Sequence, residues 1–231
     1  MTHLKRQNMP KNWPVIRKGN AFIVNPLSKK GIPLLTILRD LLKIAQTRKE
    51  VKKAIQKKHL LINNKAVKDE KIGMTLFDTL SIIPSKIYYR LELSENGKFE
   101  LKQIKEEETN TKIVKVINKK VLPGKKIQLN LSDGWNFLVE PKFKCMINDS
   151  ILINFKDKKI EKCLQLKEKA NAIVFVGKHS GKIGQIEKII SEGIQDPSAE
   201  NIEFKKARKI AIIDSKKEKI NVLIKQIMVT E

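Results

Sequence analysis

The sequence predicts an α+β chain that is mostly β, with small modules following one another along its length. Helical periodicity is confined to one short stretch after residue 33. Alternation of period two dominates beyond Pro84. A length of 231 residues with 41% hydrophobic and 5% aromatic content suits several modest cores of roughly 50 to 85 residues better than one large core.

The elements follow in order. Residues 1–33 carry Pro10, Pro14, Pro26 and Pro33 among basic residues, Trp13 and Phe22, with no sustained period. They predict a basic arm that stays extended or irregular until it meets a partner. From Leu34 to Ala45 a helical projection puts Leu34, Leu35, Ile37, Leu38, Leu41, Leu42, Ile44 and Ala45 on one arc, opposite Thr36, Arg39, Asp40 and Lys43. Thr47 and Glu50 then have capping-box spacing, so a second helix starts at Thr47, with Val51, Ala54 and Ile55 as its apolar stripe. Leu60 to Val67 reads as a hairpin turned by Asn63-Asn64, because Asn tolerates left-handed backbone. Ile72 to Ile83 continues in extended form, closing a small α+β unit over 34–83.

A β domain is expected over 86–170. Ile87, Tyr89, Leu91 and Leu93 alternate up to the Asn96-Gly97 turn, and Phe99 and Leu101 resume the pattern. Ile127, Leu129 and Leu131 precede Asp133-Gly134, and Ile151, Ile153 and Phe155 precede a turn at 156–159. Over 171–231 a small β-barrel is expected. Ile173 to Val176 is a continuous apolar strand, Gly177, Gly181 and Gly184 bend the following hairpin, and 202–204, 211–213 and 222–229 supply further short strands.

Charge narrows the function. The chain has 48 Lys and Arg against 25 Asp and Glu, a net +23. The excess is concentrated early: up to Lys58 the acids are Asp40 and Glu50 alone. Such a segment expects a polyanion, and nucleic acid phosphates are the natural neutraliser. On the second helix Arg48, Lys49, Lys52, Lys53 and Lys57 form a single-sign face in which Arg48/Lys52, Lys49/Lys53 and Lys53/Lys57 are like charges four apart. Each such pair costs roughly 0.2–0.5 kcal/mol.

Other classes lose ground. No apolar run approaches the roughly 20 residues that span a bilayer, so no membrane partner is expected. Cys145 and Cys163, with His3, His59 and His179 scattered, have no metal-ligand spacing; two reduced thiols and a cytoplasmic location are expected. The run Gly177-Lys178-His179-Ser180-Gly181-Lys182 is one residue short of a phosphate-binding loop and is followed by Ile183 where a magnesium-binding hydroxyl belongs. Gly181-Lys182-Ile183-Gly184 fits a GXXG clamp only if helices flank it, and strands do. No nucleophile with a base and no carboxylate pair stands out, so no catalytic residue, cofactor or metal is assigned.

The stretch from Leu35 to Ile83, through Ile37-Leu38-Arg39-Asp40-Leu41-Leu42, Thr47-Arg48-Lys49-Glu50-Val51, Ile62-Asn63-Asn64-Lys65-Ala66-Val67 and Ile72-Gly73-Met74, resembles the RNA-binding domain named after bacterial small-subunit ribosomal protein four. Ile173 to Ile190 resembles a KOW motif, a glycine-bent hairpin in an SH3-like barrel. Their order, with His3-Leu4-Lys5-Arg6, Pro10, Trp13 and Pro26-Leu27-Ser28 ahead of them, resembles the archaeal and eukaryotic type of small-subunit ribosomal protein four. Asn63-Asn64 departs from the usual Asn-Gly or Asp-Gly of that domain, and the absence of a longer basic prefix favours an archaeal source.

The resemblance implies a structural constituent of the small ribosomal subunit, with small-subunit rRNA and neighbouring ribosomal proteins as partners and no homo-oligomer. It implies rRNA contacts from His3, Lys5, Arg6, Trp13, Lys29 and Lys30 in the arm, from Arg39 and Lys43 on the first helix, and from Arg48, Lys49, Lys52, Lys53, Lys57 and Lys58 on the second. Lys65 in the hairpin and Lys178, His179 and Lys182 in the KOW loop complete the set, with Gly177, Gly181 and Gly184 as turn residues. An RNA-modifying enzyme or a non-ribosomal elongation or chaperone factor using the same modules is the alternative.

Overall fold

The computed structural model describes residues 3–28, 31–140, 143–192, 208–215 and 218–230. The chain divides into two compact units, 1–114 with 151–162, and 115–150 with 163–231.

In the first unit the arm is folded, which corrects the expectation of an irregular segment. Strand β1 (His3–Lys5) pairs antiparallel with β2 (Phe22–Val24), in register His3↔Val24. Met9, Trp13 and Ile23 are buried. Half-buried Arg6 closes the loop, donating from Nε to the Asn20 carbonyl (2.8 Å) and from Nη1 to the Ile16 carbonyl (2.6 Å). Apolar anchors and one bridging guanidinium offset the ordering entropy that proline and charge alone would not.

β3 (Ile32–Pro33) pairs with β6 (Gly73–Met74). Gly31 adopts φ +91°, and a Cβ there would lie 2.2 Å from the Met74 carbonyl oxygen, so only glycine fits this approach. Helix α1 (Leu34–Thr36) continues into a wide turn over Ile37–Leu41, in which the Leu42 N–H reaches back five residues to the Ile37 carbonyl at 2.9 Å. Leu34 to Leu38 are buried. The helix ends earlier than the expected Ala45: Lys43 turns left-handed (φ 52°), the N–H groups of Ile44 and Ala45 both close on the Leu38 carbonyl, and Ile44 is 55% exposed.

α2 (Arg48–Gln56) begins at the expected box. The Thr47 hydroxyl accepts the Glu50 N–H at 3.3 Å, while the Glu50 carboxylate accepts the Gln46 N–H at 2.8 Å and the Thr47 hydroxyl at 2.8 Å. These bonds, that from Gln46 first, hold the Glu50 carboxyl below the ordinary range. The helix ends with Lys58 left-handed (φ 56°), the His59 N–H bonded to Ala54 and the Lys58 N–H to Ile55.

A five-stranded antiparallel sheet follows in the order β5-β4-β7-β8-β9, from β4 (Leu60–Ile62), β5 (Lys65–Ala66), β7 (Thr79–Ile82), β8 (Ile87–Leu93) and β9 (Phe99–Ile104). Asn63 and Asn64, at φ 50° and 60°, make the predicted turn between β4 and β5. A turn over 83–86 joins β7 to β8, which pair directly across it (Ile82↔Ile87), so one sheet spans the boundary expected near Pro84.

The long β10 (Thr111–Val121) was not visible in the alternation. It starts in the first unit and ends in the second, where it pairs with β11 (Ile127–Leu131), which pairs with β12 (Asn136–Val139). β13 (Ser150–Asn154) and β14 (Lys159–Leu164) are neighbours across the turn expected at 156–159.

The second unit also holds a five-stranded antiparallel sheet in the order β18-β17-β16-β15-β19. Its strands are β15 (Asn171–Val174), β16 (Ile183–Glu192), β17 (Arg208–Ser215), β18 (Glu218–Leu223) and β19 (Ile227–Val229). Ala172, Val174, Ile186, Ala211, Ile213, Ile220, Val222, Ile224, Ile227 and Val229 form one core cluster. The strand expected to reach Val176 stops at Val174, and the reading at 202–204 lies outside the described residues. Among the described residues, no helix is long and apolar enough to cross a membrane.

Candidate nucleic-acid interface

α2 presents a basic surface. Val51 and Ile55 are buried and Ala54 is half-buried, which fixes the rotation of the helix and leaves Lys49, Lys52, Lys53 and Lys57 exposed on its outer half. Lys58, on the left-handed turn, and Lys65, on β5, are exposed as well.

Arg48 differs from these lysines. It pairs with Glu70, a carboxylate only 2% exposed, and this raises the guanidinium pKa above its ordinary value. Part of its charge is therefore spent inside the chain, and the Arg48/Lys52 repulsion is relieved. Arg39 is committed in the same way, forked onto Asp40 by Nε (2.8 Å) and Nη2 (2.9 Å). Lys43 remains exposed beside it.

In the arm, Lys5 and His3 are exposed, with His3 edge-on to Phe22 at 4.4 Å between ring centroids. Arg6 is occupied by the loop it closes. Trp13 is 2% exposed, so it anchors the first unit and offers no face on which a base can stack, a correction to the contact the resemblance implied. Lys29 and Lys30 lie outside the described residues.

In the second unit, the loop after β15 is held by its own backbone: the Gly181 N–H donates to Val174, the Ser180 N–H to Gly177 and the Lys182 N–H to His179. Gly177 (φ 108°) and Gly181 (φ 89°) supply the left-handed turns, whereas Gly184 lies in β16 opposite Ala172 and Ser215. Lys178 is exposed, and His179 and Lys182 are half-buried. The Ser180 hydroxyl donates to the Phe175 carbonyl at 3.2 Å.

Two features escaped the sequence. Cys145, Asp149 and Cys163 bring ligand atoms within 4.8 Å of one another. Both cysteines are free thiols, however, and their sulfurs lie 2.8 Å apart, whereas two sulfurs on one tetrahedral zinc lie roughly 3.8 Å apart. The Asp149 carboxylate is engaged by the Met146 N–H (2.7 Å) and the Leu166 N–H (2.9 Å), so it serves as a loop clamp. Burial pushes both thiols up. The second feature is the pair Lys112 and Lys115, each 3% exposed and therefore withdrawn from any polyanion.

Comparison with known proteins bears on the chain as a whole. A model for the ribosomal family S4e matches residues 85–160. The small ribosomal subunit protein eS4 of Methanocella arvoryzae is 35% identical over 192 residues, covering 81% of this chain and 80% of that protein. The eS4 protein of Haloarcula marismortui is 34% identical over 191 residues, 81% of this chain and 82% of that one. The Nanoarchaeum equitans eS4 protein is 33% identical over 207 residues, 87% and 88%. The crystal structure of the 30S ribosomal protein S4e from Thermoplasma acidophilum superposes with a TM-score of 0.68 over 87% of this chain and 95% of that chain, at 22% identity. At that identity the likeness shows a shared fold.

Proposed function

Because the chain belongs to the S4e family of ribosomal proteins, we propose that it is a structural constituent of the small ribosomal subunit, cytoplasmic with that subunit, and binds its rRNA through several separate basic surfaces. The family relationship over four fifths of the length carries the reading, and the uncompensated outer face of α2 gives it a physical basis. We assign a basic arm to 1–33, the ribosomal-protein-four type of RNA-binding domain to 34–83, a central β domain to 86–170 and a KOW-type SH3-like barrel to 171–231. The glycine-turned loop and the apolar cluster around Val174 and Ile213 support the last. Lys49, Lys52, Lys53, Lys57, Lys58 and Lys65 form the main contact, with Lys5 and His3 from the arm and Lys178, His179 and Lys182 from the second unit. The chain acts as a single copy among neighbouring ribosomal proteins, without catalysis or cofactor.

Phosphate contacts dominate such binding, because an RNA helix hides its major groove from side chains. Replacing Lys52→Glu and Lys53→Glu together weakens binding to small-subunit rRNA while circular dichroism stays unchanged, since both side chains are exposed. Log affinity against log salt falls with a slope near −0.7 to −0.9 per neutralised phosphate, and the double substitution flattens it by about the value of two phosphates. A flat salt response of the unsubstituted chain overturns the reading.

A further inference from the structure

The folded arm creates a groove that the contacts proposed above do not use. It has a volume of about 870 Å³ and lies between the arm loop and the end of the first helix, entirely within the first unit. That volume falls inside the roughly 300–1,000 Å³ of clefts that hold small ligands. We propose that this groove receives an unpaired nucleotide of the RNA; the proposal rests on the rRNA-binding reading and specifies one of its contacts.

The lining has two chemistries. Pro14, Val15 and Ile16 give an apolar wall, and Ile16 is 77% exposed on it. Arg6, Lys18, Arg39 and Lys43 supply its cations against the single carboxylate of Asp40, and the remaining lining residues are neutral. Arg39 and Asp40 neutralise each other through their fork, and Arg6 is spent on the Ile16 and Asn20 carbonyls. Lys18 and Lys43 remain exposed at the groove. An apolar wall beside two exposed ammonium groups matches a base attached to its phosphates. A paired RNA helix presents phosphates on a convex surface and keeps its base faces stacked, so it cannot fill a concave apolar wall.

The groove is also formed in advance. Arg6 ties the two carbonyls of the segment bearing Ile16 and Lys18, and the left-handed Lys43 is fixed by the Ile44 and Ala45 N–H groups on Leu38. A nucleotide entering it meets walls already ordered, which removes an entropic cost from binding.

The test uses the full chain and two RNA hairpins of identical stem, one carrying a two-nucleotide bulge, followed by fluorescence anisotropy at one fixed salt concentration. The bulged hairpin binds tighter by roughly fivefold, less than a base stacked on an aromatic ring gains, because this wall is aliphatic. Ile16→Ser, at an exposed position, brings the preference to within twofold while leaving affinity for the paired hairpin unchanged. Lys43→Asn, which retains tolerance of the left-handed backbone, lowers the preference in the same direction. Equal binding of both hairpins by the unsubstituted chain overturns the groove and leaves the rRNA reading standing; binding of neither overturns both. A full preference retained by Ile16→Ser overturns the assignment, as does polyglutamate that displaces the bulged hairpin at matched charge.

Discussion

Strand β10 carries two buried lysines three residues apart, and the two units satisfy them by different means. In the first unit the Lys112 Nζ donates to Asp78 Oδ1 at 2.6 Å and to the Thr75 hydroxyl at 3.1 Å. Asp78 also accepts from the Thr75 N–H, the Thr75 hydroxyl and the Asn63 amide, so the carboxylate is fully engaged. In the second unit the Lys115 Nζ donates to the carbonyls of Ile224 and Ile227 and sits 5.9 Å from the centre of the Phe175 ring. Lys112 has a counter-charge and Lys115 has only dipoles. Desolvation therefore lowers the Lys115 pKa from 10.5 to about 8. One ammonium is a member of a network, and the other is a burial penalty that the surrounding apolar core tolerates.

The same substitution at both sites separates these roles. Lys112→Met leaves the Asp78 carboxylate buried without its counter-charge, and breaking such a pair destabilises by about 3–5 kcal/mol. The loss is read from urea unfolding in a Trp135→Phe background, where the buried Trp13 reports on the first unit alone. A loss below about 1 kcal/mol would make the pair no better than an exposed one.

For Lys115 the contrast lies in pH. The unfolded chain binds the proton more tightly than the folded one, so stability contributed at this site is fully present above pH 10.5 and is lost as pH falls through about 8. The difference in unfolding free energy between the chain and its Lys115→Met form changes by up to about 3 kcal/mol across that window, at 1.36 kcal/mol for each pH unit. Circular dichroism during urea unfolding at both ends of the window measures it. A constant difference would mean that the two carbonyls hold the proton as well as water does.

Exposed lysines complete the contrast with the smallest effect and the opposite sign. Lys53→Gln removes the Lys49/Lys53 and Lys53/Lys57 repulsions together with one attraction to Glu50, and so stabilises the first unit by roughly 0.2–0.5 kcal/mol, while affinity for rRNA falls. A cation that costs stability where it stands has its use outside the fold.

Much of the fold was legible because it follows from period and turn chemistry. The capping box at Thr47, the Asn63-Asn64 turn and the Asn96-Gly97 hairpin are local, and each forms as its residues require. β10 was not legible because Lys112 stands on the face of Val114 and Val116 where an apolar residue is expected, and Lys115 is buried on the opposite face; hydropathy places both lysines outside. The arm failed for the converse reason. Its prolines and charges resemble those of a disordered tail, and only the tertiary burial of Met9, Trp13 and Ile23 shows otherwise. On the basic surface, the exposed lysines of α2 were readable from the helical projection. The withdrawal of Arg39, Arg48 and Arg6 was not, because Glu70 lies 22 residues from Arg48 and the acceptors of Arg6 are backbone carbonyls.

The loop that Arg6 closes also sets an order of events. A free tail can thread through a crevice already present in a folded RNA; a segment held as a loop by the β1–β2 pairing and the Arg6 guanidinium enters doubled, two strands wide. It can only be laid into an open trough. An RNA that takes this loop has to offer an opening as wide as the loop itself, and anything that is to cover it must close after it is seated.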